Sequence, residues 1–536
     1  MSESVVIGVN FGTSYTSIGY LNKEGRADCL ANEEGDRQIA SVLAFHGEEE
    51  VVGSQAKSDI ARNPKTTVAN FRAELGKTFS QSETLPGSAA PVIEKDGQPA
   101  YEVTLPSETV VWTAKEVSGK FLRHIRESAE AFLGTKVTGA VMAVPNYFDD
   151  AQRKALVEAS EAAGLPVVQL VHESAAAVLA YEKEHNDKTV VVCDLGGHSF
   201  DVTALNVRSG LYSVLATAHD TKLGGATFDD LLIAHFSAEF KKKCKVDIAE
   251  NRKALAKLRG AVEVTKKMLS SASSAPCFVE SLADGLDFHS TINRMRFEIM
   301  SNKVFAKTLD VVRETLEKAQ LDASEVDEVI LVGGAARIPK FAVKLREIFT
   351  GETEILNELQ PDEVVARGCA LQGALLASYD KEQIDQSIEP VVTLAPQTQK
   401  TIGVVNANGE LLPLLPAGTP LPARRTFEFG NAQAGQTHAY LALHEAERTI
   451  EKTEIPAEPI QVEEGEEPIE EEPEVVTKVV YKPATLLVEA SLPLEQGKSA
   501  KASKIEAQLT VDAESKITLV LREKNGSGVV KVTGQQ

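Results

Sequence analysis

The chain has 536 residues, of which 43% are hydrophobic and 25% charged, the balance of a globular protein too long for one core. Its formal net charge of -22 argues against a broad face for a nucleic-acid backbone and favours a basic partner. No run is long and apolar enough to span a bilayer, no basic leader precedes the first strand, and five scattered cysteines without Cys-x-x-Cys spacing suggest neither zinc nor disulfides. Lys531 to Gln536 is no retrieval or lipidation signal, so a cytosolic or nuclear home is expected, with no membrane contact.

In chain order, the first element is Val5-Val6-Ile7-Gly8-Val9, a buried strand running into the tight turn Asn10-Phe11-Gly12-Thr13-Ser14 and a second strand. Glycine lets backbone amides approach an anion closely, and successive amides in a turn form a nest for it. Helical spacing follows at 113–133, 149–163 and 174–184. Val190-Val191-Val192-Cys193-Asp194-Leu195-Gly196-Gly197-His198-Ser199-Phe200-Asp201-Val202 then repeats the glycine hairpin. The repetition suggests two related halves with a cleft between them, each offering one hairpin to a polyphosphate. Further helices are expected at 229–243, 251–271, 301–319 and 361–378. Glu263, Lys266, Lys267 and Ser270 share one face of the helix at 251–271, which by spacing alone reads as a solvated charged face. A third strand-to-turn unit, Val329-Ile330-Leu331-Val332-Gly333-Gly334-Ala335-Ala336-Arg337, is by itself an ordinary strand-to-helix turn. Three such turns in this order point to a nucleotide cleft.

The character changes near 380. The expected division is a nucleotide-binding domain over 1–380, a polar linker over 381–393 and an antiparallel β domain over 394–536. An acidic stretch at about 452–476, containing Glu463, Glu464, Glu466, Glu467, Glu470, Glu471, Glu472 and Glu474, reads as a solvated disordered loop or a docking strip for a basic partner.

These residues resemble the seventy-kilodalton heat-shock chaperone family, within the actin and hexokinase superfamily, over nearly the whole first domain. Ile7 to Tyr20 matches the first phosphate loop, Ala143-Val144-Pro145-Asn146-Tyr147-Phe148 the proline-switch strand, and Asp194 to Asp201 the second phosphate loop. Asp220-Thr221-Lys222-Leu223-Gly224-Gly225 and Gly333-Gly334 with Arg337-Ile338-Pro339 follow in register. The resemblance implies a two-lobed α/β actin-like ATPase fold of duplicated ribonuclease-H-like units, then a short β-sandwich without a helical lid. It places Gly12, Thr13, Ser14, Tyr15, Gly196, Gly197, His198, Ser199, Gly224 and Gly225 on the phosphate side of an ATP site. Glu263, Lys266, Lys267, Ser270, Gly333, Gly334, Arg337 and Asp362 fall on its adenosine side. Magnesium would arrive with ATP, with no side-chain ligand from the protein.

The departures from the family pattern carry the functional expectation. Asn10 stands where the family has Asp, Arg72 where it has a catalytic Lys, Ser174 where Pro follows the cleft Glu173, and His198 where a phosphate-loop Gly is usual. With Glu173, Asp194 and Asp201 these are expected to form a degenerate catalytic set that binds ATP, with hydrated magnesium held less well because Asn10 lacks the carboxylate charge, and does not turn over. The chain is then expected not to be an enzyme. The combination is similar to the branch of the family found in the fungal ribosome-associated complex. That branch implies a stable heterodimer with a zuotin-type J-domain protein through the β domain, and cytoplasmic ribosomes reached mainly through that partner. It also implies a second, active family chaperone and contact with nascent polypeptides. An active chaperone cycling on clients is the alternative, and a metabolite kinase of the same superfamily a third.

Overall fold

The computed structural model describes residues 5–83, 85–181, 187–208, 210–377, 379, 382–383, 396–406, 408–430, 436–455, 474–494, 504–524 and 527–535. Two sheets with the same topology organise the first domain. In the first lobe the order is Val167–His172, Val137–Val144, Val5–Phe11, Tyr15–Leu21, Ala27–Cys29. In the second it is Glu354–Leu356, Glu328–Val332, Lys188–Leu195, Phe200–Arg208, Leu211–Asp220. In each lobe a glycine hairpin is antiparallel, and its first strand pairs in parallel with a strand more than a hundred residues later. The duplication read from the two hairpins is thus carried by the whole sheet.

Local sequence explains the elements. Val190-Val191-Val192-Cys193 is an unbroken apolar run because helices cover both faces of its sheet, leaving no residue of it more than 2% exposed. Helix Ala114–Leu133 starts at Thr113, whose hydroxyl accepts from the Glu116 amide while the Glu116 carboxylate accepts from the Thr113 amide. Asp149 and Gln152 repeat that reciprocal cap on helix Asp150–Ala162.

Each lobe has its own core, one around Phe11, Phe71 and Phe121, the other around Phe228, Phe236, Phe240 and Phe305. A third cluster joins them. Val141 and Ala143 of the first sheet, Val190, Val192, Ile330 and Val332 of the second, and Ala176, Ala177, Val365 and Cys369 from helices Glu173–Tyr181 and Val364–Leu376 pack together. The two helices form the floor on which both lobes stand. Because apolar contact is sensitive to spacing, this floor fixes the distance between the glycine hairpins above it.

From Pro396 onward every regular element among the described residues is a strand. One sheet runs Leu411–Leu415, Ile402–Val405, His438–Ile455, Glu474–Pro493, and the other Ala423–Gly430, Lys504–Val511, Lys516–Glu523, Val529–Gln535. Ile505, Ala507, Leu509 and Val511 alternate with polar residues and face inward beside Ile517, Leu519 and Leu521, as a sandwich requires. The sandwich meets the second lobe through Arg425 Nη2, 2.9 Å from Asp187 Oδ2, and through Arg448, whose guanidinium is paired with Glu325.

The sequence helices recur with shifted ends. The expected 361–378 helix is Val364–Leu376, and the expected 174–184 helix starts one residue earlier, at Glu173. Most of the expected linker, 384–393, and the acidic core 456–473 lie outside the described residues. The flanks of the acidic stretch are strand, to Ile455 on one side and from Glu474 on the other, because they pair with each other in a long ribbon.

Candidate functional site: a cleft between two glycine hairpins

A cleft of about 2480 Å³ separates the lobes. Every candidate catalytic or nucleotide-binding residue lines it except Gly224, which lies behind the second loop, and the departure at Ser174 also lies outside it. The first loop is braced by Ser41, whose hydroxyl donates to the Gly12 carbonyl at 2.7 Å and whose amide donates to the Ser14 carbonyl at 2.9 Å. In the second, the Gly196 amide donates to the Ser199 carbonyl at 3.0 Å. The start of helix Gly225–Cys244 is tied to that turn, the Gly225 amide donating to Gly196 O at 2.9 Å and the Ala226 amide to Gly197 O at 2.8 Å. A long helix therefore presents its N-terminal end behind a phosphate-type loop, which favours an anion there.

Two glycines are dictated by space. A Cβ on Gly197 would stand 2.1 Å from Ser14 Oγ, so a side chain there would force the two loops apart. A Cβ on Gly224 would stand 2.7 Å from the His198 amide nitrogen. His198 itself reaches across the gap. Its Nδ1 is 3.1 Å from Ser14 Oγ and its Nε2 3.2 Å from Pro86 O.

Below the loops sits an acidic floor. Asp194, at the end of one strand, and Asp201, near the start of the next, are direct cross-strand partners. Like charges so placed oppose folding, and such an arrangement persists where a site needs it. Burial, and then the neighbouring Glu173, push Asp201 up to about 7 and Asp194 well above the usual carboxylate range. Burial raises Glu173 too, against the pull of Arg72. Arg72 Nη2 lies 3.0 Å from Glu173 Oε1, and its guanidinium packs 4.8 Å from the centre of the Phe148 ring. Arg72 is only 7% exposed, so this cation is fixed by packing and charge. Ser199 Oγ donates to Asp201 Oδ2 at 2.9 Å. Asn10 faces the cleft from the end of the first strand.

The adenosine-side residues divide into two groups. Arg337 donates to Asp362 from Nε at 3.1 Å and from Nη2 at 2.5 Å, beside the open Gly333–Gly334 turn. Ser270 also lines the cleft. Lys266, by contrast, is spent inside the second lobe, with Nζ 2.8 Å from Asp229 Oδ1 and 2.9 Å from the Gly225 carbonyl. Glu263 and Lys267 reach the first lobe. Glu263 accepts from the Tyr15 hydroxyl and pairs with Lys57 Nζ at 2.6 Å, while Lys267 Nζ is 2.7 Å from Tyr15 Oη. Lys57 and Lys267 hold the Glu263 carboxyl far below the usual range despite its burial. Sequence reasoning missed Lys57, Asp229 and Pro86 as site residues. The Asp229–Lys266 pair had a signal, a charged position in a helix otherwise apolar on that face. Lys57 had none, because its six-residue helix Gly53–Ser58 has no strong periodicity.

Two amide-lined loops, one from each lobe, above three partly buried carboxylates and one guanidinium fit a polyphosphate carrying a divalent cation. Among the described residues no three acidic, imidazole or thiol groups converge closely enough to ligate one ion directly. A cation arriving with the phosphates would be held here through them and through water.

The sequence profile described as Hsp70 protein matches residues 6–457. The chain belongs to the Hsp70 family. It is 40% identical to Heat shock protein 70 homolog C57A7.12 of Schizosaccharomyces pombe, over 98% of this chain and 94% of that one. It is 35% identical to the Ribosome-associated complex subunit SSZ1 of Saccharomyces cerevisiae, over 99% of both. With the Heat shock 70 kDa protein of Emericella nidulans it shares 36% identity over 83% of this chain and 69% of the other. It is thus an Hsp70-type chaperone, with the actin-like lobes and β-rich domain expected from its motifs, in a family that binds ATP with magnesium.

One expectation is corrected. The substitutions at Asn10 and Arg72 suggested a chain that is not an enzyme. The family is one of ATPases, and relatives named heat shock 70 kDa proteins match at 36–37% identity over 82–83% of the chain. The physical reason is on the cleft floor. Arg72, although it replaces the family's Lys, is held among the carboxylates by Glu173 and Phe148.

Proposed function

We propose that this Hsp70-family chain binds ATP between its two glycine loops, hydrolyses it, and works as a co-chaperone at cytoplasmic ribosomes. The observation that supports the catalytic half is the ordered set Arg72, Glu173, Asp194 and Asp201 beneath the loops. Magnesium bound with the phosphates supplies charge neutralisation of the polyphosphate. The residues of the chain do the rest. Gly12 to Tyr15 and Gly196 to Ser199 orient the phosphates through backbone amides. Arg72 places a fixed cation where charge develops. Asp201, pushed up to about 7, is suited to take a proton from water at its carboxylate near neutral pH. Arg337, Asp362, Ser270 and the Gly333–Gly334 turn receive the nucleoside end.

The ribosomal half rests on full-length similarity to the Ribosome-associated complex subunit. In this reading the β domain holds a zuotin-type J-domain protein in a stable heterodimer, and that partner makes the main ribosome contact, as the net charge of -22 favours. The pair then assists a second Hsp70 acting on nascent chains. Purification of tagged chain from a ribosome fraction, with quantification of co-purifying proteins and nucleotide, tests it. A J-domain protein in equal amount is expected. Recovery of a monomer with a changing set of unfolded clients would favour an independently cycling chaperone.

A further inference from the structure

His198 bonds to two separate segments of the opposite lobe. It belongs to the second loop, and it meets Ser14 of the first loop and Pro86 of the first-lobe rim. The Pro86 carbonyl can only accept, so Nε2 carries the hydrogen. In the neutral ring Nδ1 is then an acceptor, and the Ser14 hydroxyl donates to it. The Ser14 hydroxyl of the first loop is therefore directed at an imidazole. The charged groups facing the ring are Arg259 and Lys266 on helix Arg252–Ser271 and Asp230 on helix Gly225–Cys244. Burial and the two cations hold the imidazole below its ordinary range, so with no anion between the loops it is neutral at neutral pH.

A polyphosphate between the loops reverses that balance, because several negative charges a few ångströms away favour the imidazolium. A doubly protonated ring cannot accept from Ser14. The Ser14 hydroxyl is released to a phosphate oxygen, and Nδ1 becomes a second donor. We propose that His198 is a positioning residue that takes up one proton as polyphosphate enters and thereby turns Ser14 towards it, linking nucleotide affinity to pH. The inference rests on the nucleotide reading above. The proton comes from solvent and no bond other than N–H is made.

The test is calorimetric binding of ADP and ATP between about pH 6.5 and 8, in buffers of differing ionisation enthalpy, for the full chain and for His198→Gln. Gln keeps a donor and an acceptor but does not titrate. Comparing the two proteins cancels the titration of the nucleotide itself. The wild-type chain is expected to take up more protons than H198Q. Its affinity should rise relative to that of the variant by up to about tenfold per pH unit of acidification. Equal proton uptake and equal pH slopes overturn the proposal. Failure of the wild-type chain to bind either nucleotide overturns the nucleotide reading instead, and this inference with it. If H198Q does not fold, the ring-nitrogen shifts of His198 in the wild-type chain decide. They should move from the neutral Nε2–H form to imidazolium on adding ADP, and unchanged shifts overturn it.

Discussion

Tyr15 of the first lobe donates its hydroxyl to Glu263 of the second, and that bond spans the cleft. Lys57 adds to it from the first lobe, 2.6 Å from Glu263 Oε2 and 4.5 Å above the Tyr15 ring, and Lys267 lies 4.3 Å from the same ring. The cluster is one of several polar links between the lobes, beside His198–Ser14 and Lys222–Glu83. Tyr15, Lys57, Glu263 and Lys267 all line the cleft, so parting the lobes there breaks these contacts.

Nucleotide release is therefore expected to quicken when the latch is cut. Glu263→Gln removes a carboxylate that is 18% exposed and shared by two lysines. A loss of about 1–2 kcal/mol of closure corresponds to roughly tenfold faster release. Stopped-flow displacement of a fluorescent ADP analogue measures it. An unchanged rate would mean that the latch does not limit exit.

Arg72→Ala should cost both stability and turnover. It leaves Glu173 buried beside Asp194 and Asp201 without its cation. Breaking such a pair costs about 3–5 kcal/mol, and loss of a fixed cation at a phosphoryl-transfer site lowers turnover by roughly a hundredfold or more. Arg72→Lys keeps the charge and should lose less of each. Thermal melts and single-turnover hydrolysis check the two effects separately.

Acid should stabilise the empty cleft. The Asp201 carboxyl is raised in the fold, so its protonated form is the favoured one there. Its contribution to stability is full below its unfolded value near 4 and is lost as pH rises through about 7. The ligand-free chain should therefore gain stability from pH 7 towards 5 by an amount that Asp201→Asn removes, on the order of a few kcal/mol. Melts of both proteins across this range measure the difference, and parallel curves would contradict it.

The sandwich should separate from the second lobe when Arg425 and Arg448 are both reversed to Glu. Each pair is partly solvated and contributes about 0–1 kcal/mol alone, so single reversals should do little. A larger radius of gyration of the double variant in X-ray scattering is the expected result.

Much of this fold was legible from periodicity and turns. The apolar run Val190 to Cys193 and the caps at Thr113 and Asp149 mark their elements locally, and the repeated hairpin announced the duplicated lobes. The lobe-bridging contacts were not legible. Lys57 and Glu263 are 206 residues apart, and nothing local in either segment shows that they meet. Lys266 shares a helical face with Glu263, yet its ammonium turns to Asp229, because burial beside a carboxylate is stronger than its spacing suggests. Arg72 was the costliest misreading. The identity of a substituted residue was legible, but the ring and carboxylate that hold it in place come from Phe148 and Glu173, far along the chain.

The most direct measurement is single-turnover hydrolysis of magnesium ATP by the purified chain, alone and with the proposed J-domain partner, alongside Arg72→Ala. One ATP bound per chain and converted to ADP, with conversion falling at least about a hundredfold in the variant, is the expected result. A chain that binds no nucleotide, or hydrolyses it equally well without Arg72, would contradict the cleft as described.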